Sequence, residues 1–315
     1  MNHPSNPVPE SFSDSRLNAP AAMGPTRPLY WSVRRELWEN RSIYIAPLAV
    51  AAVYLAGYLI SLCAFSRSMR DIAMAHDMPV IVALAMPYSH AAMLLMLVGF
   101  LVGVFYSLDA LHGERRDRSI LFWKSLPVSD LTTVLAKASI PLVVLPVLIF
   151  AITVALQIVI RLIGLATALM TGSGVAEVWS GLPLFQMQFV LLYGLAVTTL
   201  WFAPIYCWML LVSGWAKRAT FLWAVLPPLA LAGAERIAFG TSYFGLLMQD
   251  RLFGFAAAAF DLKDKNGVPI DPHFIPLAQL APGRFLSSAG LWLGLLVAVG
   301  LLVAAVRLRR YREPI

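Results

Sequence analysis

The most chemically distinctive segment of this chain is a charged and aromatic stretch between two long apolar runs. Its charged side chains can form ion pairs and its aromatic side chains can fill pockets, a combination typical of contacts between proteins. A solvated loop whose aromatic rings rest on lipid headgroups is the alternative. We predict a protein contact through Glu114, Arg115, Arg116, Asp117, Arg118, Phe122, Trp123, Ser125, Leu126, Pro127, Ser129 and Asp130.

A second group of charged and aromatic residues lies at positions 28–42, just before the first apolar run. Its apolar members recur near helical spacing, and Pro28 suits the first turn of a helix. A basic amphipathic helix that carries tryptophan is expected to lie in the headgroup region of a bilayer. It would serve as an anchor, as a partner contact, or as both, through Trp31, Arg34, Arg35, Glu36, Trp38 and Glu39.

A third group consists of polar and aromatic side chains inside the apolar runs. Ordinary packing explains each of them singly, but together they are compatible with a path for an amphipathic or lipid-like molecule. The candidates are Gln157, Tyr193, Thr198, Thr199, Trp201 and Tyr206. The five histidines have no metal-ligand spacing, and both cysteines fall within apolar runs, so we predict no metal site and no disulfide.

The amino-acid composition predicts that transmembrane helices carry or flank these three groups of residues. Hydrophobic residues make up 59% of the chain and charged residues 13%, against about 25% charged in soluble domains. Apolar runs of this length indicate an all-α membrane protein with six transmembrane helices. The second helix could extend upward through Pro79–Met86. The six predicted spans are Ile43–Phe65, Ala91–Leu108, Ile140–Ile163, Phe185–Val212, Phe221–Ala238 and Ala289–Val306.

Arginine and lysine placement predicts the orientation. Sixteen of them lie in the N-terminal arm, the second and fourth connections and the C-terminal end, against six in the opposite loops. The positive-inside rule then places both termini in the cytoplasm, in a multi-pass protein of the cytoplasmic (inner) membrane. Topology and anionic lipid account for the net charge of +7, so no nucleic-acid partner is implied.

The predicted organisation follows from these spans. A disordered cytoplasmic tail (1–27) precedes the interfacial helix (28–42), the six-span domain (43–308) and a short cytoplasmic tail (309–315). Within the domain, a cytoplasmic connector occupies 109–137 and an outer loop occupies 239–288. The apolar stretch Leu246–Phe260 in that loop is too short to span a membrane and predicts re-entrant or interfacial helices.

The order of these features resembles the type-2 ABC exporter permeases. The resemblance rests on Glu114, on the run Ser125-Leu126-Pro127-Val128-Ser129-Asp130 with Lys137 beyond it, and on the amphipathic stretch Arg34–Glu39. It implies that the connector is a coupling helix that docks on a dimer of ABC ATP-binding subunits. It also implies a second permease copy, a homodimer being the simplest arrangement. The aromatic stretch Leu121–Lys124 departs from the generic pattern and points to a subfamily with its own ATPase partner.

The sequence contains no P-loop motif, because none of its five lysines follows a glycine. We therefore expect this chain to hold no cofactor and no ATPase site of its own, with ATP and Mg²⁺ bound by the partner subunit. A non-transporting scaffold or sensor coupled to an ATPase is the alternative. A membrane enzyme is a third class, but the spans show no convergent catalytic groups. The substrate is open among amphipathic molecules, peptides, drugs and lipids.

Overall fold

The structure is a computed structural model that describes residues 28–65, 80–117, 129–171, 183–261 and 275–311. Within these ranges the chain is helical, apart from one isolated antiparallel bridge between Phe260 and Leu280. Among the described residues, six segments are long and apolar enough to cross a membrane, in agreement with the predicted number of spans. They are Ser42–Leu62, Ala85–Arg116, Asp130–Met170, Leu184–Trp215, Thr220–Phe239 and Ala289–Tyr311.

The α-helices are numbered here in chain order within the described residues. They are α1 (Pro28–Glu39), α2 (Ser42–Phe65), α3 (Val80–Asp109), α4 (His112–Arg116), α5 (Asp130–Ser139), α6 (Leu145–Thr171), α7 (Leu184–Trp215), α8 (Thr220–Phe239), α9 (Tyr243–Phe253), α10 (Phe255–Ala259), α11 (Pro282–Ser287) and α12 (Ala289–Tyr311). A π-helical segment, Ile140–Val144, joins α5 to α6.

Several boundaries differ from the predicted ones. Helix α3 begins at Val80 and the second span at Ala85, so the span starts before the predicted residue 91. The third span is longer than predicted, because α5 continues through the π-helical segment into α6. Pro141 lies in that segment, where the wider turn accommodates a residue that donates no backbone hydrogen bond. The N-terminal helix ends at Glu39 and α12 continues to Tyr311.

Local chemistry explains where the helices begin and end. The hydroxyl of Ser129 accepts a hydrogen bond from the backbone N–H of Thr132 at 3.1 Å, so Ser129 caps the start of α5. Gly240 ends α8 with φ = 64°, a left-handed conformation that glycine adopts without steric cost. The carboxylate of Glu235 then accepts hydrogen bonds from the N–H groups of Tyr243 and Phe244, so it caps the start of α9.

Helix α7 is the central element of the fold. It packs against α3, α6, α8 and α12, and it is the most buried of the six spans. Its buried side chains, among them Trp201, Phe202 and Tyr206, form cores with residues of α10, α11 and α12. A further core fills the space between α2, α3 and α6 around Leu95 and Ile149. By contrast, α8 buries very little of its surface within the chain.

Helices α9 and α10 occupy the stretch for which the sequence predicts short helices between the fifth and sixth spans. Tyr193 and Trp201 of α7 hold them in place: the hydroxyl of Tyr193 donates to the carbonyl of Ala259 at 3.0 Å, and the indole N–H of Trp201 donates to the carbonyl of Arg251 at 3.0 Å. The guanidinium of Arg251 also lies over the Trp201 ring, 4.8 Å from its centroid.

Candidate functional site

Seven polar side chains from five helices meet at one end of the bundle and form the ionic cluster. Helix α1 contributes two of them, α3 and α4 one each, α5 two and α12 one. Asp130 and Lys137 lie seven residues apart on α5, which is about two turns, so they share one face. The members are Arg35, Glu36, Tyr106, Glu114, Asp130, Lys137 and Arg309.

Glu36 is one of the two carboxylates at the centre of the ionic cluster. It is almost fully buried, and its Oε1 lies 2.8 Å from both the Lys137 ammonium and the Arg35 guanidinium. Its Oε2 accepts a 2.8 Å hydrogen bond from the hydroxyl of Tyr106. Both oxygens of this buried carboxylate are therefore satisfied, as a buried charge requires.

Glu114 is the second central carboxylate. Its Oε1 lies 2.9 Å from the guanidinium of Arg35 and 3.1 Å from the ammonium of Lys137. Its Oε2 pairs with Arg309 at 3.1 Å, and Arg309 also reaches Asp130 at 3.3 Å. Glu114, near the start of the connector, and Asp130, near its end, are thereby both tied to the last helix of the bundle.

The charges of the ionic cluster balance, with three cations against three carboxylates. Burial by itself would raise the pKa of the Glu36 carboxyl, but the ammonium of Lys137 and the guanidinium of Arg35 outweigh that effect. They hold the pKa of Glu36 below the ordinary value of a glutamate. Removing one member would leave its partner charged and buried, a loss of about 3–5 kcal/mol in comparable pairs.

The turn between α3 and α4 is fastened to the end of α7 by a second set of bonds. The hydroxyl of Ser213 accepts the backbone N–H groups of Leu111 and His112 at 2.9 and 2.8 Å. The buried guanidinium of Arg115 donates to the carbonyls of Gly214 at 2.8 Å and Ala216 at 3.3 Å. A cation here also suits the negative end of the α7 dipole.

The predicted protein contact therefore divides into two groups within the described residues. Glu114 and Arg115 are buried and bound inside the chain, whereas Arg116 and Asp117 are exposed and pair with each other at 3.1 Å. Ser129 and Asp130 begin α5, where Ser129 caps the helix and Asp130 joins the ionic cluster. The remaining predicted contacts lie outside the described residues: Arg118, Phe122, Trp123, Ser125, Leu126 and Pro127.

Helix α1 also presents two chemically different faces. Trp31 and Trp38 are exposed on one face, and the guanidinium of Arg34 lies over both rings, at 5.3 and 4.7 Å from their centroids. Glu36 points into the ionic cluster on the other face, and Arg35 bridges it to the half-exposed Glu39 at 3.5 Å. The predicted amphipathic pattern is present, but part of its charge binds the protein interior.

A cavity of about 700 Å³ lies between α3, the π-helical segment with α6, and α7, and residues of α9 and α10 close one side of it. Four of the six residues predicted to line a path are in its wall: Gln157, Thr198, Thr199 and Tyr206. The other two, Tyr193 and Trp201, are not among the lining residues. They instead hold α9 and α10, which themselves contribute to the wall.

Two members of the ionic cluster escaped the sequence analysis as site residues. Tyr106 looked like an ordinary aromatic residue of a span, and Arg309 was counted only as a topological charge. Lys137 entered through the family resemblance but without a partner. The sequence did contain an indication of the ionic cluster. Charged residues adjoin four of the apolar runs, and such residues must be either paired or solvated at the membrane surface. Sequence alone does not say which of those alternatives each residue takes.

No family model, curated protein or solved structure matches the chain. The resemblance to type-2 ABC exporter permeases thus rests on the residues quoted above.

Proposed function

We propose that this chain is the permease subunit of an ATP-driven exporter of the ABC type, in the cytoplasmic membrane with both termini in the cytoplasm. A separate dimer of ATP-binding subunits would bind ATP and Mg²⁺ and supply the energy. Two permease copies would present one connector to each ATPase subunit, and a homodimer is the simplest such arrangement.

The observation that carries this proposal is the way in which the ionic cluster ties the connector to the bundle. Glu114 and Asp130 lie near the two ends of the connector, and Arg309 of α12 bonds to both of them. Arg35 and Lys137 add α1 and α5 to the same set of contacts. A push on the connector would therefore reach several helices at once, instead of only bending a loop.

The third span can respond to such a push because it is not a uniform α-helix. Its π-helical segment, Ile140–Val144, follows directly after α5, which carries Asp130 and Lys137. Pro141 and Leu145, within and just after that segment, line the cavity. Movement of α5 relative to α6 would thus change the shape of the cavity wall, which is the coupling that an exporter needs.

The proposal is tested by affinity purification of the tagged full chain from native membranes, followed by mass spectrometry of what accompanies it. Glu114 is unsuitable as the test position, because its substitution would also break the ionic cluster. Arg116 is suitable, since it is about 60% exposed and lies at the start of the connector. We expect an ABC ATPase to accompany the wild type and to be depleted with Arg116→Glu.

Arg236→Glu is the matched control, because it makes the same charge reversal at an exposed position at the far end of α8. It should retain the ATPase. Absence of any ATPase from the wild-type preparation would overturn the proposal. Equal depletion in both variants would instead show that the effect is not specific to the connector.

A scaffold or sensor coupled to an ATPase would give the same purification result. The two functions separate in an assay of the purified complex in lipid vesicles. A permease moves a compound across the bilayer in an ATP-dependent manner, whereas a scaffold hydrolyses ATP without net movement of any compound. The cavity favours the permease, because a scaffold needs no open space of this size between its helices.

A further inference from the structure

Arg251 of α9 lies at the end of the bundle opposite to the ionic cluster. Its Nη2 atom donates to the carbonyl of Gly290, in the first turn of α12, at 3.2 Å. Gly290 and Arg309 are nineteen residues apart on that helix, which is about 28 Å at about 1.5 Å per residue. The hydrocarbon core of a bilayer is about 30 Å thick. With the ionic cluster at one surface of that core, Arg251 lies at the other, level with the lipid headgroups.

An exposed tryptophan beside Arg251 supports this depth. Trp292 follows Gly290 by two residues, and 56% of its surface is exposed. Its indole N–H donates to the carbonyl of Leu286 at 2.7 Å. Tryptophan is enriched where membrane helices meet the headgroups, because one part of the ring is apolar and the other carries a polar N–H. The first turn of α12 therefore has the composition of a membrane–water interface.

The guanidinium of Arg251 occupies a defined seat between α7 and α12. The ring of Trp201 lies beneath it, with the ring centroid 4.8 Å away. A Cβ on Gly294 would overlap the guanidinium, so the absence of a side chain at that position makes room for it. A Cβ on Gly290, by contrast, would meet only the Trp201 ring, at 3.8 Å. These contacts fix the position of the cation at the membrane surface.

The seat holds a cation without a matching anion among the described residues. The bond to Gly290 is the one hydrogen bond that the guanidinium makes to them, and none of their carboxylates forms an ion pair with it. Asp250 is adjacent in sequence, and adjacent residues of a helix do not face each other. Burial lowers the pKa of Arg251 below the ordinary value of an arginine, and Asp250 offsets only part of that effect. An external anionic group would supply the missing counter-charge.

Arg284, at the same end of the bundle, shows the contrast. Its guanidinium donates to the carbonyls of Ala258 and Phe260, and the carboxylate of Asp261 lies 4.0 Å away. The partners of Arg284 thus lie within the chain, and they include an acidic side chain. Arg251 is the better candidate for an external ligand.

We propose that Arg251 binds the phosphate of a phospholipid in the membrane leaflet at this end of the bundle. The N–H donors of a guanidinium form a planar fork that matches two oxygens of a phosphate. A phospholipid carries its phosphate at this depth and its acyl chains toward the membrane centre. Leu293, Leu296 and Val297, which follow Gly290 along α12, are exposed and offer those chains an apolar surface. Such binding does not depend on the exporter function.

The test uses the full chain, stripped of lipid in detergent, and a phosphatidylcholine with a diazirine near the glycerol end of one acyl chain. This lipid carries a phosphate but no net charge, so general attraction of anionic lipid to a basic protein does not contribute. After illumination, mass spectrometry maps the labelled residues, and we expect labelling at Trp292 and Leu293. Excess unlabelled phosphatidylcholine should reduce it about tenfold or more, whereas dioleoylglycerol, which lacks the phosphate, should reduce it less than about twofold.

Two variants disturb the seat in different ways. Arg251→Gln removes the cation, and Gly294→Ala keeps the cation but displaces it. Each should lower the labelling about tenfold. Gly290→Ala is the matched control for the second variant, because its Cβ would make only an ordinary contact with Trp201. Arg236→Gln is the control for the first, because it removes an exposed arginine near the end of α8, shortly before α9. Both controls should label like the wild type.

Melting temperature shows whether the variants are folded. The indole of Trp201 bonds to the backbone carbonyl of Arg251 and not to its side chain, so α9 should keep its place in Arg251→Gln. If neither variant folds, the competition between the two unlabelled lipids in the wild type decides the matter by itself.

The proposal is overturned if dioleoylglycerol competes as well as phosphatidylcholine, because water or an internal carboxylate would then neutralise the guanidinium. Equally effective displacement by inorganic phosphate would assign the seat to a soluble anion and would also overturn it. Unchanged labelling in folded Gly294→Ala would do the same. None of these results depends on an associated ATPase, so this failure and a failure of the exporter function are distinguishable.

Discussion

The ionic cluster and the cavity differ in both chemistry and packing, although they belong to one helical bundle. In the ionic cluster, charges from four helices neutralise one another, and each carboxylate contacts at least one cation. In the cavity, apolar side chains from several helices stand apart and leave about 700 Å³ between them. The first arrangement joins helices by direct contacts, whereas the second leaves space between them.

Helix α7 lines the cavity and is also bonded to the turn that lies beside the ionic cluster. Its end accepts the bonds of Arg115 and, through Ser213, those of the α3–α4 turn. Its middle forms the longest wall of the cavity. One helix therefore joins the α3–α4 turn at one end of the bundle to the wall of the cavity.

The largest expected effect tests the rigidity of the ionic cluster. Glu36→Ala should destabilise the fold by about 3–5 kcal/mol, because Lys137 and Arg35 lose a buried counter-charge and Tyr106 loses its acceptor. Glu39→Ala is the control on the same helix, since Glu39 is half-exposed, and should cost less than about 1 kcal/mol. Unfolding of the detergent-solubilised chain measures both. Similar losses in the two variants would contradict the comparison.

The next effect contrasts two glycines that face the cavity. A Cβ on Gly99 would lie 2.8 Å from the side chain of the buried Ile149, so Gly99→Ala should cost about 1–3 kcal/mol through overpacking. A Cβ on Gly194 would meet nothing closer than 3.8 Å, so Gly194→Ala should be neutral or stabilising. Thermal unfolding of the two variants decides the matter. A larger loss of stability for Gly194→Ala than for Gly99→Ala would show that α7 has less free space at Gly194 than α3 has at Gly99.

A third measurement asks whether the ionic cluster acts as a unit. A double-mutant cycle of Glu114→Gln and Arg309→Met should give a coupling energy of about 0.5–3 kcal/mol, because the pair is buried at 3.1 Å. The control cycle joins Arg116 and Asp117, which lie equally close but are exposed and screened by water. Its coupling should be much smaller. Equal coupling in both cycles would remove the energetic distinction between the cluster and the surface.

The smallest effect is a dependence of stability on pH. The folded-state pKa of Glu36 is lower than that of an ordinary glutamate, so its ionised form stabilises the fold above about pH 4.3. That contribution is lost as the pH falls below this value and through the lower folded-state pKa. Melting temperature measured between pH 7 and pH 3 should fall less steeply for Glu36→Gln than for the wild type. Parallel curves would exclude Glu36 as the group responsible.

The spans were predictable because each is a local property of the sequence. A long apolar run specifies a membrane helix without reference to any other part of the chain. The short helices α9 and α10 were predictable for the same reason, from an apolar stretch too short to cross. The start of the third span was placed too late, because the polar residues of α5 hid its continuity with α6.

The ionic cluster could not be predicted, since its partners are far apart in the sequence. Glu36 and Lys137 are 101 residues apart, and Glu114 and Arg309 are 195 residues apart. The predicted topology places all four residues at the same end of the bundle. Many different pairings of acidic and basic residues are compatible with that placement. The cavity was partly predictable: polar residues marked its wall at Gln157 and Thr199, while nothing in the sequence separated them from Tyr193 and Trp201.

The separation between Glu114 and Arg309 also has a consequence for biosynthesis. During translation, Glu114, Asp130 and Lys137 emerge long before Arg309, so for most of that time the acidic groups lack one of their cations. The nascent chain must keep these groups hydrated, or protected by the insertion machinery, until α12 arrives. Insertion of α12 then completes the charge balance. A chain whose synthesis stalls before α12 would carry an unneutralised carboxylate, which membrane quality control could recognise.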